Sequence, residues 1–139
     1  MNARRTMTVI LLFLGLCAVV SVAEAINLPT GAWTIYGNGF AGVLNITAVD
    51  GSGNLALTAY SNPTVGFYSS TSNTIQFTRQ FGSTPDSTQT YTGALQLVTK
   101  SPGLCTYVLT GTFTGYAPSG ASASKPVLGW LALLDNIAC

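Results

Sequence analysis

Residues 74–81, TIQFTRQF, alternate without a break. Ile75, Phe77, Arg79 and Phe81 fall on one side, and Thr74, Gln76, Thr78 and Gln80 on the other. A period of two marks a strand with one dry face and one wet face. The pattern recurs in TYVLTGTFTGY, where Tyr107, Leu109 and Phe113 oppose Thr106, Thr110, Thr112 and Thr114. It recurs again in YTGALQL, where Tyr91, Leu95 and Leu97 oppose Thr92, Ala94 and Gln96. Phe40, Leu44 and Ile46 share a face of one earlier run, and Leu55 and Leu57 share a face of the next. Turn chemistry separates the runs at Gly37-Asn38-Gly39, Asp50-Gly51-Ser52-Gly53-Asn54, Ser61-Asn62-Pro63, Ser83-Thr84-Pro85-Asp86 and Ser101-Pro102-Gly103. A longer Ser/Ala/Gly loop covers residues 118–126. Beyond the N-terminal apolar run no window carries a helical period. The fold class is all-β: an antiparallel up-and-down meander of seven or eight strands. Closing it into a small barrel removes exposed edges, while a sandwich satisfies the same alternation.

The first 25 residues are set apart from this pattern. Arg4 and Arg5 precede MTVILLFLGLCAVVSV, and Ala23-Glu24-Ala25 places small residues where a signal peptidase reads them. The apolar run is shorter than the ~20 residues of a spanning helix. Leu16 before Cys17, where a lipid-anchored export signal has a small residue, favours simple export. Residues 1–25 therefore read as a signal peptide and residues 26–139 as one β-barrel domain, secreted, with no membrane span.

Charge narrows the function. The chain is 6% charged, against about a quarter in a typical domain, and has no histidine. From Ile26 onward Asp50, Asp86 and Asp135 balance Arg79, Lys100 and Lys125. No basic footprint exists for nucleic acid. A neutral surface of hydroxyls and amides gives little colloidal repulsion, which permits self-association or residence in a matrix. Without histidine, Ser-His and Cys-His nucleophile pairs are excluded. The acidic residues form no near pair for glycoside hydrolysis, and two cysteines make no ordinary zinc site. DGSGN lacks the alternating carboxylates of a calcium loop and reads as a hairpin turn. No catalytic residue, metal or cofactor is expected. Cys105 and Cys139 are most simply one disulfide, with a bond between subunits as the competing reading. Asn45-Ile46-Thr47 is a glycosylation sequon whose Asn45 lies opposite Leu44 and Ile46, hence outward.

The Gly31-Ala32-Trp33 start, followed by GFAGVLNI and DGSGNLALTAY, resembles the avidin and lipocalin group of up-and-down barrels, the calycins. The later LGWLALL looks like the tryptophan-bearing penultimate strand of avidin-type barrels. The resemblance implies that Trp33 plugs one end of the barrel, commonly under a cation from the closing strand. The last apolar run holds neither Arg nor Lys. Biotin is not the expected ligand, because avidin-type pockets resemble a cage of several tryptophans and residues 26–139 hold only Trp33 and Trp130. The tail DNIAC offers no obvious further strand, so an opening is expected between the first and last strands. A neighbouring molecule could pair with that edge.

Two functions fit these residues. In the first, the barrel binds a small apolar or carbohydrate ligand in a lumen lined by Phe77, Arg79, Tyr91, Leu95, Tyr107, Leu109 and Trp130. Arg79, the one charge on an apolar face, either fixes a polar or anionic ligand or stacks on an aromatic ring at the barrel mouth. In the second, the chain is a structural subunit of an extracellular fibre, coat or matrix, assembled through open strand edges. A roomy lumen favours the first reading and a solidly packed one the second.

Overall fold

The meander has eight strands: β1 (Gly31–Gly37), β2 (Phe40–Val49), β3 (Asn54–Ala59), β4 (Asn62–Ser69), β5 (Thr74–Gln80), β6 (Thr88–Ser101), β7 (Leu104–Thr114) and β8 (Val127–Ala138). The structure, a computed structural model, describes residues 24–83, 87–114 and 126–139. The expected signal peptide lies almost wholly outside the described residues, as do most of the Ser83-Thr84-Pro85-Asp86 turn and nearly all of the Ser/Ala/Gly loop. Each strand pairs antiparallel with the next, and β8 returns to β1, closing an up-and-down barrel. This architecture agrees with the calycin resemblance and resolves barrel against sandwich.

The expected opening between first and last strands is not there. Thr34 to Gly37 pair with Leu133 to Trp130 and seal the seam. LGWLALL is the closing strand itself, not the penultimate one, and DNIAC continues it. Ala138 pairs with Leu104 and Ile137 with Cys105. Polar residues can extend a strand here because the end of β8 needs only main-chain partners, which β7 supplies. The eighth strand comes from β4, whose Val65 and Phe67 point outward while Thr64, Gly66 and Tyr68 point inward.

Tight turns set the register. Asn38 and Gly39, both at positive φ, join β1 to β2. Their two-residue loop matches the right-handed twist of the strands it connects. At Asp50 the side chain organises the hairpin: Oδ1 accepts from the Ser52 and Asn54 amides at 2.9 and 2.8 Å, and Oδ2 accepts from Asn54 Nδ2 at 2.8 Å. The calcium-like DGSGN is thus a self-contained Asx turn.

Inward residues fill the barrel. Trp33, Ile35, Leu44, Ile46, Phe77, Leu109 and Ala132 are essentially inaccessible, each large apolar side chain contributing roughly 1.5–3 kcal/mol on burial. One end is closed. The segment before β1 crosses it, burying Leu28, with the Ile26 amide donating to Asn73 Oδ1 at 2.8 Å and Tyr68 Oη–H to the Ile26 carbonyl at 2.5 Å. Trp33 is fully buried at this end, its Nε1–H donating to Pro29 O at 3.3 Å. Beyond this end β6, β7 and β8 project, which leaves Leu97 exposed despite its place in the alternation. A bulge in β8 opposite Cys105–Tyr107, with Asn136 at φ 60°, leaves both Cys105 and Thr106 buried. Thr106 Oγ1–H donates to Asp135 Oδ1 at 2.7 Å, and Lys100 Nζ meets the same oxygen at 2.6 Å.

Cys105 and Cys139 form the disulfide, within one chain. It joins residues 34 apart in sequence and staples the end of β8 to β7 just where β8 has outrun β1. On the chain-entropy account a loop of that size contributes about 3–4 kcal/mol. The double substitution Cys105→Ser, Cys139→Ser should lower the unfolding free energy by about that amount in urea titration, with a steeper slope because the uncrosslinked denatured chain exposes more surface. A loss below about 1 kcal/mol would mean the seam needs no staple.

Candidate ligand-binding site

Among the described residues no segment crosses the opposite end of the barrel. At this end β5 joins β6 and β7 joins β8, by connections that lie largely outside the described residues. A cavity of about 500 Å³ lies in this mouth, lined by Gly37, Asn38, Phe40, Ala41, Tyr60, Arg79, Gln89, Tyr91, Phe113, Pro126 and Leu128.

Its floor is a stack of rings. Phe77 lies parallel to Tyr91 at 4.6 Å between centroids, and Tyr91 parallel to Phe113 at 4.8 Å. Trp130 meets Phe77 and Tyr91 edge-on at 5.4 and 5.8 Å. Such ring pairs add about 0.5–1.5 kcal/mol each beyond area burial. Trp130 reaches this position from β8 by lying across Gly93, where an added Cβ would come 2.7 Å from its Cζ2. Its Nε1–H then donates to the Thr92 carbonyl at 3.0 Å.

Above the floor sits Arg79. Its Nε–H donates to Gln89 Oε1 at 2.8 Å and an Nη1–H to Asn62 Oδ1 at 3.3 Å. The guanidinium lies 4.4 Å from the Tyr60 ring centroid and 5.2 Å from that of Phe81. Arg79 therefore stacks at the barrel mouth, the structural half of its sequence reading. Tyr91 Oη–H shares the Gln89 acceptor at 2.9 Å, and burial pushes its hydroxyl up to about 12. Burial also raises Tyr60, against the opposing pull of Arg79.

Tyr60 is placed by backbone strain and by missing atoms. Tyr60 and Ser61, at φ 52° and 62°, form the two-residue turn between β3 and β4. Left-handed geometry costs a non-glycine residue about 1 kcal/mol. The ring folds back over Gly42, where any Cβ would strike it, and its hydroxyl donates to the Phe40 carbonyl at 3.3 Å.

Of the expected lumen residues, Arg79 and Tyr91 border the cavity. Phe77, Leu95, Leu109 and Trp130 are buried in the core and do not line the mouth cavity. Tyr107 is half-buried at the closed end, edge-on to Trp33 at 6.4 Å. Parallel rings and Leu side chains occupy the interior where a lumen is expected from the sequence. The cation of the barrel interior stands over Tyr60, at the end away from Trp33. Asn45 lies on the outer face, half-buried in mid-strand. Sequence reasoning missed Tyr60, Asn62 and Gln89. Asn62 reads only as a turn residue, and neither Tyr60 nor Gln89 stands out in its local pattern.

A second groove, about 650 Å³, runs beside the crossing segment at the closed end, lined by Leu28, Pro29, Phe67, Tyr68 and the Asp50 loop. Its one charged lining residue, Asp50, is consumed by its own turn.

Two measurements test this geometry. Gly42→Ala should displace Tyr60 from Arg79 and lower stability by about 1–3 kcal/mol, as overpacking does. An unchanged melting curve would mean the ring has another seat. The second concerns pH. Hydrogen bonds from Asn54 hold the Asp50 carboxyl below its ordinary 3.8, and those from Lys100 and Thr106 do the same for Asp135. A lowered folded-state value means stability present above that ordinary value and lost as pH falls through the folded one. Tyr91, raised from 10.0 to about 12, acts oppositely: its contribution is intact below 10 and lost on the way up to about 12. Urea midpoints should therefore be flat between about pH 5 and pH 9 and fall on either side. A step near pH 6–7 would contradict this in a chain without histidine.

In comparisons with known proteins, no family model matches this chain, and no curated protein or solved structure does.

Proposed function

We propose that this chain is a secreted, non-enzymatic barrel of calycin type that holds a small apolar or carbohydrate ligand in the open mouth. One observation carries the reading: a cavity of about 500 Å³ at the end of an otherwise solid barrel, with aromatic and aliphatic walls and a few convergent polar groups. Binding sites in small barrels have this composition, few polar groups against an apolar wall. The strained Tyr60 turn adds support, since unfavourable backbone persists where something over-determines it. The absence of histidine from the sequence and the turn-bound Asp50 supply no nucleophile or acid–base pair. Fold analogy alone would be a weaker warrant.

A specific observation keeps a structural-subunit reading alongside it. The outer wall across the seam carries Val43, Tyr36, Leu131, Leu133 and Val108 on adjacent strands, with no charge among them. With the barrel closed, a self-associating chain would use this wall rather than strand edges.

Native mass spectrometry of the secreted protein separates the two. A monomer carrying a small non-covalent adduct is the expected result. Large assemblies would refute the binding reading. Reductant should not dissolve them, because Cys105 and Cys139 pair within one chain.

A further inference from the structure

Among the described residues of the barrel wall and its turns, Arg79 is the cation without a carboxylate partner. Lys100 and Asp135 neutralise each other on the surface. Asp50 is satisfied by backbone and amide donors. Arg79 is half-buried at the mouth, and every partner it has there is neutral: the amide oxygens of Gln89 and Asn62, the rings of Tyr60 and Phe81, the Tyr91 hydroxyl. Among the described residues no carboxylate forms an ion pair with it.

This arrangement is built to receive an anion. A guanidinium has five N–H donors in a rigid fork, and Gln89 and Asn62 take only one each. The stack on Tyr60 and the two amide anchors hold the fork in one orientation, so a ligand need not order it on binding. Tyr60 and Tyr91 are neutral phenols at neutral pH, and burial raises both further from ionisation. They bring hydroxyl dipoles to the mouth without adding negative charge. Around the cation the walls are apolar, from Phe40, Ala41, Phe113 and Leu128. A neutral sugar would leave the guanidinium uncompensated, and a purely apolar cargo would bury it further. A partly desolvated cation beside an apolar wall selects a ligand that offers both a negative head and an apolar body.

We infer that the mouth binds amphipathic monoanions, with a flat apolar body against Phe113 and Leu128 and a carboxylate or sulfonate on Arg79. This rests on the binding reading above and narrows its ligand class.

Two fluorescent probes with the same fused-ring and anilino skeleton supply the test: 8-anilinonaphthalene-1-sulfonate and its neutral counterpart N-phenyl-1-naphthylamine. With the intact secreted protein at low salt, the sulfonate should bind at least about tenfold tighter than the neutral probe, and added salt should weaken the sulfonate alone. Arg79→Gln should bring the two probes within about twofold of each other, and Arg79→Lys should keep part of the preference as a point charge without the fork. The wild-type comparison needs no variant, so it stands even if an Arg79 substitution unfolds the chain. Equal affinities in the wild type would overturn the anion inference and leave a binding mouth. A preference that survives Arg79→Gln in a folded protein would place the anion elsewhere and overturn it too. If neither probe binds, the inference and the binding reading fall together.

Discussion

The ring stack of Phe77, Tyr91 and Phe113, closed edge-on by Trp130, is what the rest of this barrel depends on. Eight strands enclose an interior just wide enough for side chains to fill, and three parallel rings do most of that filling at mid-height. The stack could not form without two bare backbones beside it. Gly93 faces Gly111 across β6 and β7; Trp130 lies against the position a Gly93 Cβ would take, and a Cβ on Gly111 would strike the Thr92 carbonyl. Because the rings are large and rigid, they also make a floor. What lies above them toward the open end is a shallow mouth instead of a lumen.

The two ends of the barrel have been given different work by the same meander. At the closed end are the crossing segment, the disulfide, the Lys100–Asp135 pair and the self-capped Asp50 turn. These hold strands that project past the barrel wall and would otherwise splay. The surface ion pair is worth little by itself, less than about 1 kcal/mol. The disulfide is the larger constraint there. At the open end stability is given up: a tyrosine in left-handed geometry and a cation without a carboxylate among the described residues. Local sacrifices of that kind gather where a protein meets its ligand.

Strands with clean alternation were legible, because period two leaves few other structures open. β4 was not, and the reason is physical. Its interior positions hold Thr64, Gly66 and Tyr68 while Val65 and Phe67 face outward, so its hydrophobic pattern is inverted. The interior accepts a glycine there because Phe77 of the neighbouring strand fills the space, coming within 2.8 Å of where a Cβ would stand. The tail of β8 was also missed, since its pairing with β7 is made by main chain and needs no apolar side chains. Leu97 shows the reverse case, correct in phase yet exposed, because the strand had already left the barrel.

By itself the sequence determined the class of fold, the inward set of most strands, the paired cysteines as a disulfide and Arg79 as the charge out of place. Each of these follows from local pattern: alternation, turn residues, export chemistry, one ion on an apolar face. Closure of the barrel and the site at its mouth were decided only in three dimensions. Arg79 is positioned by Asn62, Tyr60 and Gln89, residues 10 to 19 positions away in sequence that antiparallel pairing brings to one rim. Whether the interior holds cargo or rings is likewise a matter of volume. The same aromatic residues read as a pocket lining or as a plug, and barrel diameter, set by strand number and stagger, makes them a plug.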